Sequence, residues 1–308
     1  MDHLQGAWSE LQASAAHTLF QSFAWNRLAA SVFAACEQPY AVYVESDSGA
    51  AIIPAAIADH GITLLGEALF DYRNVLHTGD LAILKRAWQE IAALRRPLFF
   101  TALREEQASR CWREFHPQSF VSAPCVRLDD TDAEQFASRH RRLGSRLRRL
   151  LRNGIEFRKQ SSPPAELIRH IYELKAAQMP GSLFGDPARV NFMTAACACT
   201  GCDLYTLIRD GELIAALVTF RDGHTRRFYT SYYSHQWAHF SPGIVLLYEA
   251  TRCSLAEGLN CDYMTGEQSH KMRLATGKVP LFRVETSWDK IASISGFEEQ
   301  EVVSELAA

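Results

Sequence analysis

The chain has 308 residues, 47% apolar and 22% charged, enough to bury a substantial core and incompatible with native disorder, a collagenous repeat or a disulfide-stapled miniprotein. Thirty-two basic against 35 acidic side chains leave a formal charge of −3, so no whole-protein field draws it to nucleic acid or an anionic membrane. The longest run without Lys, Arg, Asp or Glu, from Phe228 to Tyr248, holds His235, Gln236, His239, Ser241, Pro242 and Gly243, so no membrane insertion is expected. The opening Met-Asp-His-Leu-Gln lacks the basic and apolar regions of an export signal, which predicts a cytoplasmic protein.

A first lobe is expected over residues 1–130. Ser22 to Cys36 has helical spacing, with Phe23, Leu28 and Val32 among its apolar positions. Pro39 to Glu45 alternates, Asp47-Ser48-Gly49 is a turn, and Ala51 to Ile57 returns as the second half of a hairpin. A strand near Ile62, a helix from Leu81 to Leu94, a strand from Pro97 to Thr101, a helix to Phe115 and a strand to Leu128 follow. Asp129-Asp130-Thr131-Asp132 marks the boundary with a second domain over 131–308.

Seven arginines crowd the stretch Arg139 to Arg152, at 139, 141, 142, 146, 148, 149 and 152, with no acid among them; the rest of the chain carries 25 basic against 35 acidic groups. At helical spacing Leu143, Leu147, Leu150 and Leu151 form one apolar stripe, Arg141, Arg148 and Arg152 lie opposite, and Asn153-Gly154 ends the helix. Arginine throughout favours bidentate recognition of phosphate or carboxylate. Three readings stay open: a solvated face, a phosphate site for a nucleotide-linked or sugar-phosphate acceptor, and a landing strip for tRNA.

Beyond it come a strand from Ile155 to Arg158, helices over Ala165 to Met179 and Pro187 to Cys199, and three strands, Asp203 to Ile208, Leu213 to Phe220 and Arg226 to Tyr233. Asp210-Gly211 and Asp222-Gly223 are strong hairpin signals between them. A helix from Gly243 to Ala256, a short strand from Cys261 to Met264 and a last strand from Leu281 to Ser287 complete the chain. The eight cysteines are scattered. Cys197, Cys199 and Cys202 have C-x-C-x2-C spacing, but no His or Cys pair follows at finger spacing, so packed, reduced thiols and no metal are expected.

Ser241-Pro242-Gly243 opens the 243–256 helix. A helix start offers unsatisfied N–H groups and partial positive charge, Pro242 suits the first turn, and Gly243 permits close approach. Ser241 either caps the helix or donates to a bound phosphate. Tyr232 and Tyr233 end the third meander strand, so one faces each side of the sheet. A phenol in the cleft lines the pocket or protonates a leaving group. His235 and His239 read as polar loop surface.

Three segments carry a family likeness: Ser145 to Phe157, SRLRRLLRNGIEF; Asp210 to Gly266, which includes SPGIVLLYEATRCSLAEG; and EQSHKMRL just beyond. With the N-terminal WSEL, SFAWNRL and FDYRNVL, they resemble the cellulose-biosynthesis acetyltransferase-like proteins of the GNAT superfamily, relatives of the FemAB and FemX aminoacyl transferases. The resemblance implies an α/β protein of two GNAT-like domains in tandem, each with a mixed, mainly antiparallel sheet flanked by helices. It implies an N-acyltransferase that moves an acyl (acetyl) group from acyl-CoA (acetyl-CoA) to a small-molecule or sugar-linked amine by direct attack.

On that likeness Lys271 stabilises charge on the donor carbonyl or binds a phosphate, and Glu267 and Asp262 relay the amine proton. Tyr233 acts in the cleft, and Ser241, Pro242, Gly243 and Tyr232 hold the donor. Asp71, Tyr72, Arg148 and Phe184 meet the acceptor in a pocket between the domains. The family's Gly-rich turn, Gln/Arg-x-x-Gly-x-Gly/Ala, is missing from His235 to Phe240. The donor therefore stays open between acyl-CoA and an aminoacyl-tRNA held by the Arg139–Arg152 helix, and a non-catalytic scaffold is the third alternative.

Overall fold

A computed structural model describes residues 1–15, 17–66, 69–105, 115–179 and 181–295. They divide into two compact units, Met1–Phe120 with the chain from Phe282 onward, and Val121–Leu281.

The first unit opens with α1 (Gln5–Ser14), which the apolar spacing did not signal, and α2 (Phe23–Val32). Ser22 caps α2 by accepting from the Trp25 N–H at 3.3 Å, so the helix begins where expected but ends at Val32, short of Cys36. The hairpin forms as β1 (Gln38–Ser46) and β2 (Gly49–Ala58), registered from Gln38↔Ile57 to Ser46↔Gly49. β3 (Gly61–Leu64) and the two-residue β4 (Leu76–His77) pair antiparallel with β2. α3 (Leu81–Ala92), capped by Asp80, precedes β5 (Leu98–Arg104), which runs parallel to β3. The helix expected up to Phe115 falls largely outside the described residues. Alternation along β2 clothes both faces: Ile53 packs with Trp88, Ile91 and Phe100, and Ile52 packs with Trp8, Leu11 and Phe23.

The second unit takes up β6 (Gln118–Val126), α4 (Ala133–Arg139), α5 (Arg141–Arg152), β7 (Glu156–Ser161), α6 (Ala165–Gln178) and α7 (Pro187–Thr200). The meander follows as β8 (Asp203–Arg209), β9 (Glu212–Asp222) and β10 (Thr225–Tyr233). Asp210 at φ +50° and Gly211 at φ +83° supply the two left-handed residues of the predicted hairpin turn. A 3-10 segment, His235–Phe240, leads into α8 (Pro242–Ala256), then β11 (Asn260–Asp262), the single turn α9 (Ser269–Met272) and β12 (Gly277–Thr286). β7 to β10 pair antiparallel with their neighbours, while β11 runs parallel to β10 and antiparallel to β6. α10 (Trp288–Ser295) returns to the first unit, where Ile291 joins the core around Ile53.

The arginine-rich stretch is broken at His140 into α4 and α5. Leu143, Leu147 and Leu150 are buried as the stripe requires, but Leu151 is 43% exposed. At ~100° per residue it stands roughly 70° round the helix from the middle of the other three, off the docked face. That face packs on α8, and Gly144 lets the helices close: a β-carbon there would lie 3.1 Å from the Tyr248 hydroxyl. Asn153 and Gly154, at φ +77°, terminate α5 as expected. No helix among the described residues is long and apolar enough to cross a membrane.

Candidate active site

β10 pairs with β11 over three residues only, Thr225, Arg226 and Arg227 opposite Asn260, Cys261 and Asp262. Past Arg227 it stays registered with β9, with a bulge between Phe228 and Thr230, and among the described residues no strand pairs with its other edge. Two carbonyls of that segment accept from side chains of α6 instead: Ser231 O from Lys175 Nζ and Tyr233 O from Gln178 Nε2, both at 2.7 Å. A cavity of about 580 Å³ opens there, walled by β10, the first turns of α8 and the segment after β11.

Six of the expected residues line this cleft: Tyr233, Ser241, Pro242, Gly243, Phe184 and Lys271. Ser241 does not cap α8. It stands at φ +54° with no helix N–H bonded to its side chain, and its Oγ accepts from Arg146 Nη1 at 3.4 Å. The start of α8 therefore has no side-chain cap from Ser241, and its first residues, Pro242, Gly243 and Ile244, line the cleft. Lys271 is tethered to the wall, donating from Nζ to Thr265 O at 2.8 Å and Met264 O at 3.5 Å.

The other six stand elsewhere. Tyr232 points to the opposite face of β10, into a separate groove beside Phe157, His170 and Glu212. Its phenol is pushed up by burial and by Glu212. Asp262 is buried and paired with Arg227 at 2.7 Å, and Glu267 is exposed and paired with Lys278 at 2.7 Å. Arg148 lies on the exposed face of α5, donating to Ser145 Oγ at 3.0 Å. Asp71 and Tyr72 belong to the first unit, where Tyr72 is 2% exposed and packed on Phe20.

Two basic residues of the cleft were not anticipated, Lys175 and His270. Burial holds the Lys175 ammonium below the ordinary lysine range. Partial loss of water, then Lys271 and Lys175, hold the His270 imidazole below the usual histidine range. No Asp or Glu appears among the described residues that line the cleft. Its walls are cationic or neutral, which suits an anionic ligand.

The cysteine trio divides: Cys197 and Cys202 are buried with their side chains hydrogen-bonded, which raises the Cys197 thiol along with burial, and Cys199 is exposed. Among the described residues no group of His, Cys, Asp and Glu is arranged to hold a metal ion.

Residues 137–272 match the family described as "Acetyltransferase (GNAT) domain". That segment is a GNAT acetyltransferase domain, and the class it defines is the acyltransferases. A search of curated protein sequences gives no match. Among solved structures the chain is similar to FemX, with a TM-score of 0.62 at 10% identity over 94% of this chain and 98% of that one. It is similar to the C-terminal domain of a putative lysylphosphatidylglycerol synthetase from Agrobacterium fabrum, TM-score 0.61 at 11% identity over 96% and 95%. A tandem GNAT protein from the clavulanic acid biosynthesis pathway gives 0.52 at 13% identity over 92% and 95%. These likenesses establish the α/β fold of GNAT type.

Proposed function

We propose that the 121–281 unit transfers an acyl group, acetyl in the simplest case, from acyl-coenzyme A to a small-molecule or sugar-linked amine by direct attack. The observation that carries this is the start of α8: uncapped by Ser241, backed by Arg146, and opening on a cleft with no carboxylate on its described lining. Those groups fit the pyrophosphate of the carrier, with the Gly243 and Ile244 N–H groups as donors and Ser241 beside them. An acyl-CoA supplies an activated thioester carbonyl.

The chain's own residues then have limited work. Lys271, fixed at the wall, lends positive potential where negative charge grows on the carbonyl oxygen. Tyr233, 39% exposed and on the cleft side of β10, is the proton donor to the leaving sulfur. Asp262 and Glu267 are engaged with Arg227 and Lys278, so His270, its imidazole held below the usual histidine range by partial burial and by Lys271 and Lys175, takes the amine proton in their stead.

The test is release of free thiol from acetyl-CoA with a panel of primary amines, wild type against Lys271→Met. Amine-dependent release reduced by about 10²-fold in the variant is expected. No release with any amine, and no binding of coenzyme A, would leave aminoacyl-tRNA as donor. The 3-10 turn that replaces a Gly-rich loop over His235–Phe240 favours that second reading.

A further inference from the structure

A second basic feature of the 121–281 unit lies outside the cleft. Arg141, Arg142 and Arg146 of α5 meet Arg273, from just past α9, around a hollow of about 550 Å³ that Leu143 and Ser145 complete. The helical spacing sets Arg141 opposite the leucine stripe and Arg142 and Arg146 on its flanks; the fold brings Arg273 to them. None of the four guanidinium groups is paired with a carboxylate among the described residues.

Two of the charges also oppose the helix. Arg141 and Arg142 occupy the first turn of α5, which holds no acid and has no side-chain cap from His140. Cations there face the positive end of the helix dipole, an arrangement that weakens a helix unless an anion intervenes. His140, beside them, has its imidazole held low by burial and then by Arg273 and Arg139.

The remaining arginines of the helix are accounted for without a ligand. Arg148 donates to Ser145, Arg149 stacks over the Phe240 ring at 5.5 Å, and Arg152 sits in the last turn, where a cation suits the dipole. The imbalance is confined to the 141–146 end and Arg273. Arg146 joins that end to the cleft through Ser241.

We propose that Arg141, Arg142, Arg146 and Arg273 form a binding site for a phosphate monoester, and that its occupant is the 3′-phosphate of coenzyme A lying with its pyrophosphate at the start of α8. Forked guanidinium groups match a phosphate dianion two bonds at a time. The occupant rests on the acyl-CoA reading above; the phosphate preference of the hollow does not.

Calorimetric titration of the full chain with coenzyme A and with 3′-dephospho-coenzyme A, at one ionic strength, tests it. Wild type is expected to bind coenzyme A at least about tenfold more tightly, in line with two or more charge-assisted bonds. Arg142→Ala/Arg273→Ala should bind both alike, with affinity for the dephospho form unchanged, and Arg152→Ala should keep the wild-type ratio. Without ligand the double variant should melt at or above wild type, since it sheds unbalanced charge; a lower melting temperature would count against the site. Equal affinities in wild type would overturn the site and leave the donor reading intact. If neither form binds, the donor reading fails, and adenosine 3′,5′-bisphosphate decides the site. Saturable binding lost in the double variant sustains it; no binding, or binding of tRNA alone, overturns it.

Discussion

A β-carbon built on Gly243 would stand 3.2 Å from Cδ1 of Tyr233. The last residue of β10 thus leans on the first turn of α8. Gly243→Ala is expected to act in opposite directions on two observables. Alanine suits a helical backbone better, which favours the fold by about 0.5–1 kcal/mol. The Tyr233 ring must shift by a few tenths of an ångström, so coenzyme A binding should weaken by roughly threefold to tenfold, on the scale of a disturbed positioning contact. Thermal melting and ligand titration of the same preparation check the two signs.

Adjacent tyrosines separate the functions of the two sides of the sheet. Tyr233→Phe should lower kcat by about 10²-fold, the usual size of a lost general acid. Tyr232→Phe, which alters only the groove on the far face, should leave kcat within about twofold. Steady-state thiol release distinguishes them, and equal losses would contradict the assignment.

The acid limb of the rate profile should report His270. Its pKa is depressed, so the neutral base persists to lower pH than for an ordinary histidine, and activity falls as pH drops through that lowered value. Removing a neighbouring cation favours the imidazolium, so Lys175→Met should move the limb to higher pH. His270→Gln should remove it, with partial recovery in added imidazole. kcat against pH for the three proteins is the measurement.

Stability of the unit depends on a buried guanidinium. Arg226 is 1% exposed, hydrogen-bonded to Asp203 and paired with Glu257 at 2.8 Å. Arg226→Met strands a partly buried carboxylate and should cost about 3–5 kcal/mol. Burial opposes ionisation of Asp203, yet bonds from Ser161 and Arg226 outweigh it and keep its carboxyl below the ordinary range. That contribution is present above the unfolded-state pKa and lost as pH falls through the folded value, so the variant should lose part of the acid dependence of unfolding. Urea melts across acidic pH check both.

Most of the second unit was legible because its signals are local. Asp210-Gly211 fixes a hairpin wherever it is flanked by strands, Pro242 at a helix start declares itself, and three leucines at helical spacing docked α5 correctly. The misses are long-range. Asp262 looked available until Arg227, 35 residues earlier, claimed it, and Lys175 reaches a carbonyl 56 residues away. His270 and Arg273 carry no pattern of their own; only the turn after β11 turns one to the cleft and the other to α5. Leu151 failed because the stripe drawn from helical spacing is wider than the face the helix docks.

The free edge of β10 has one more implication. Lys175 and Gln178 stand in for a missing strand, each satisfying a carbonyl that a twelfth-hour ladder partner would otherwise claim. Because those stand-ins are side chains and not backbone, this stretch of β10 is satisfied without a ladder, and the pairing of β7 to β10 does not depend on them.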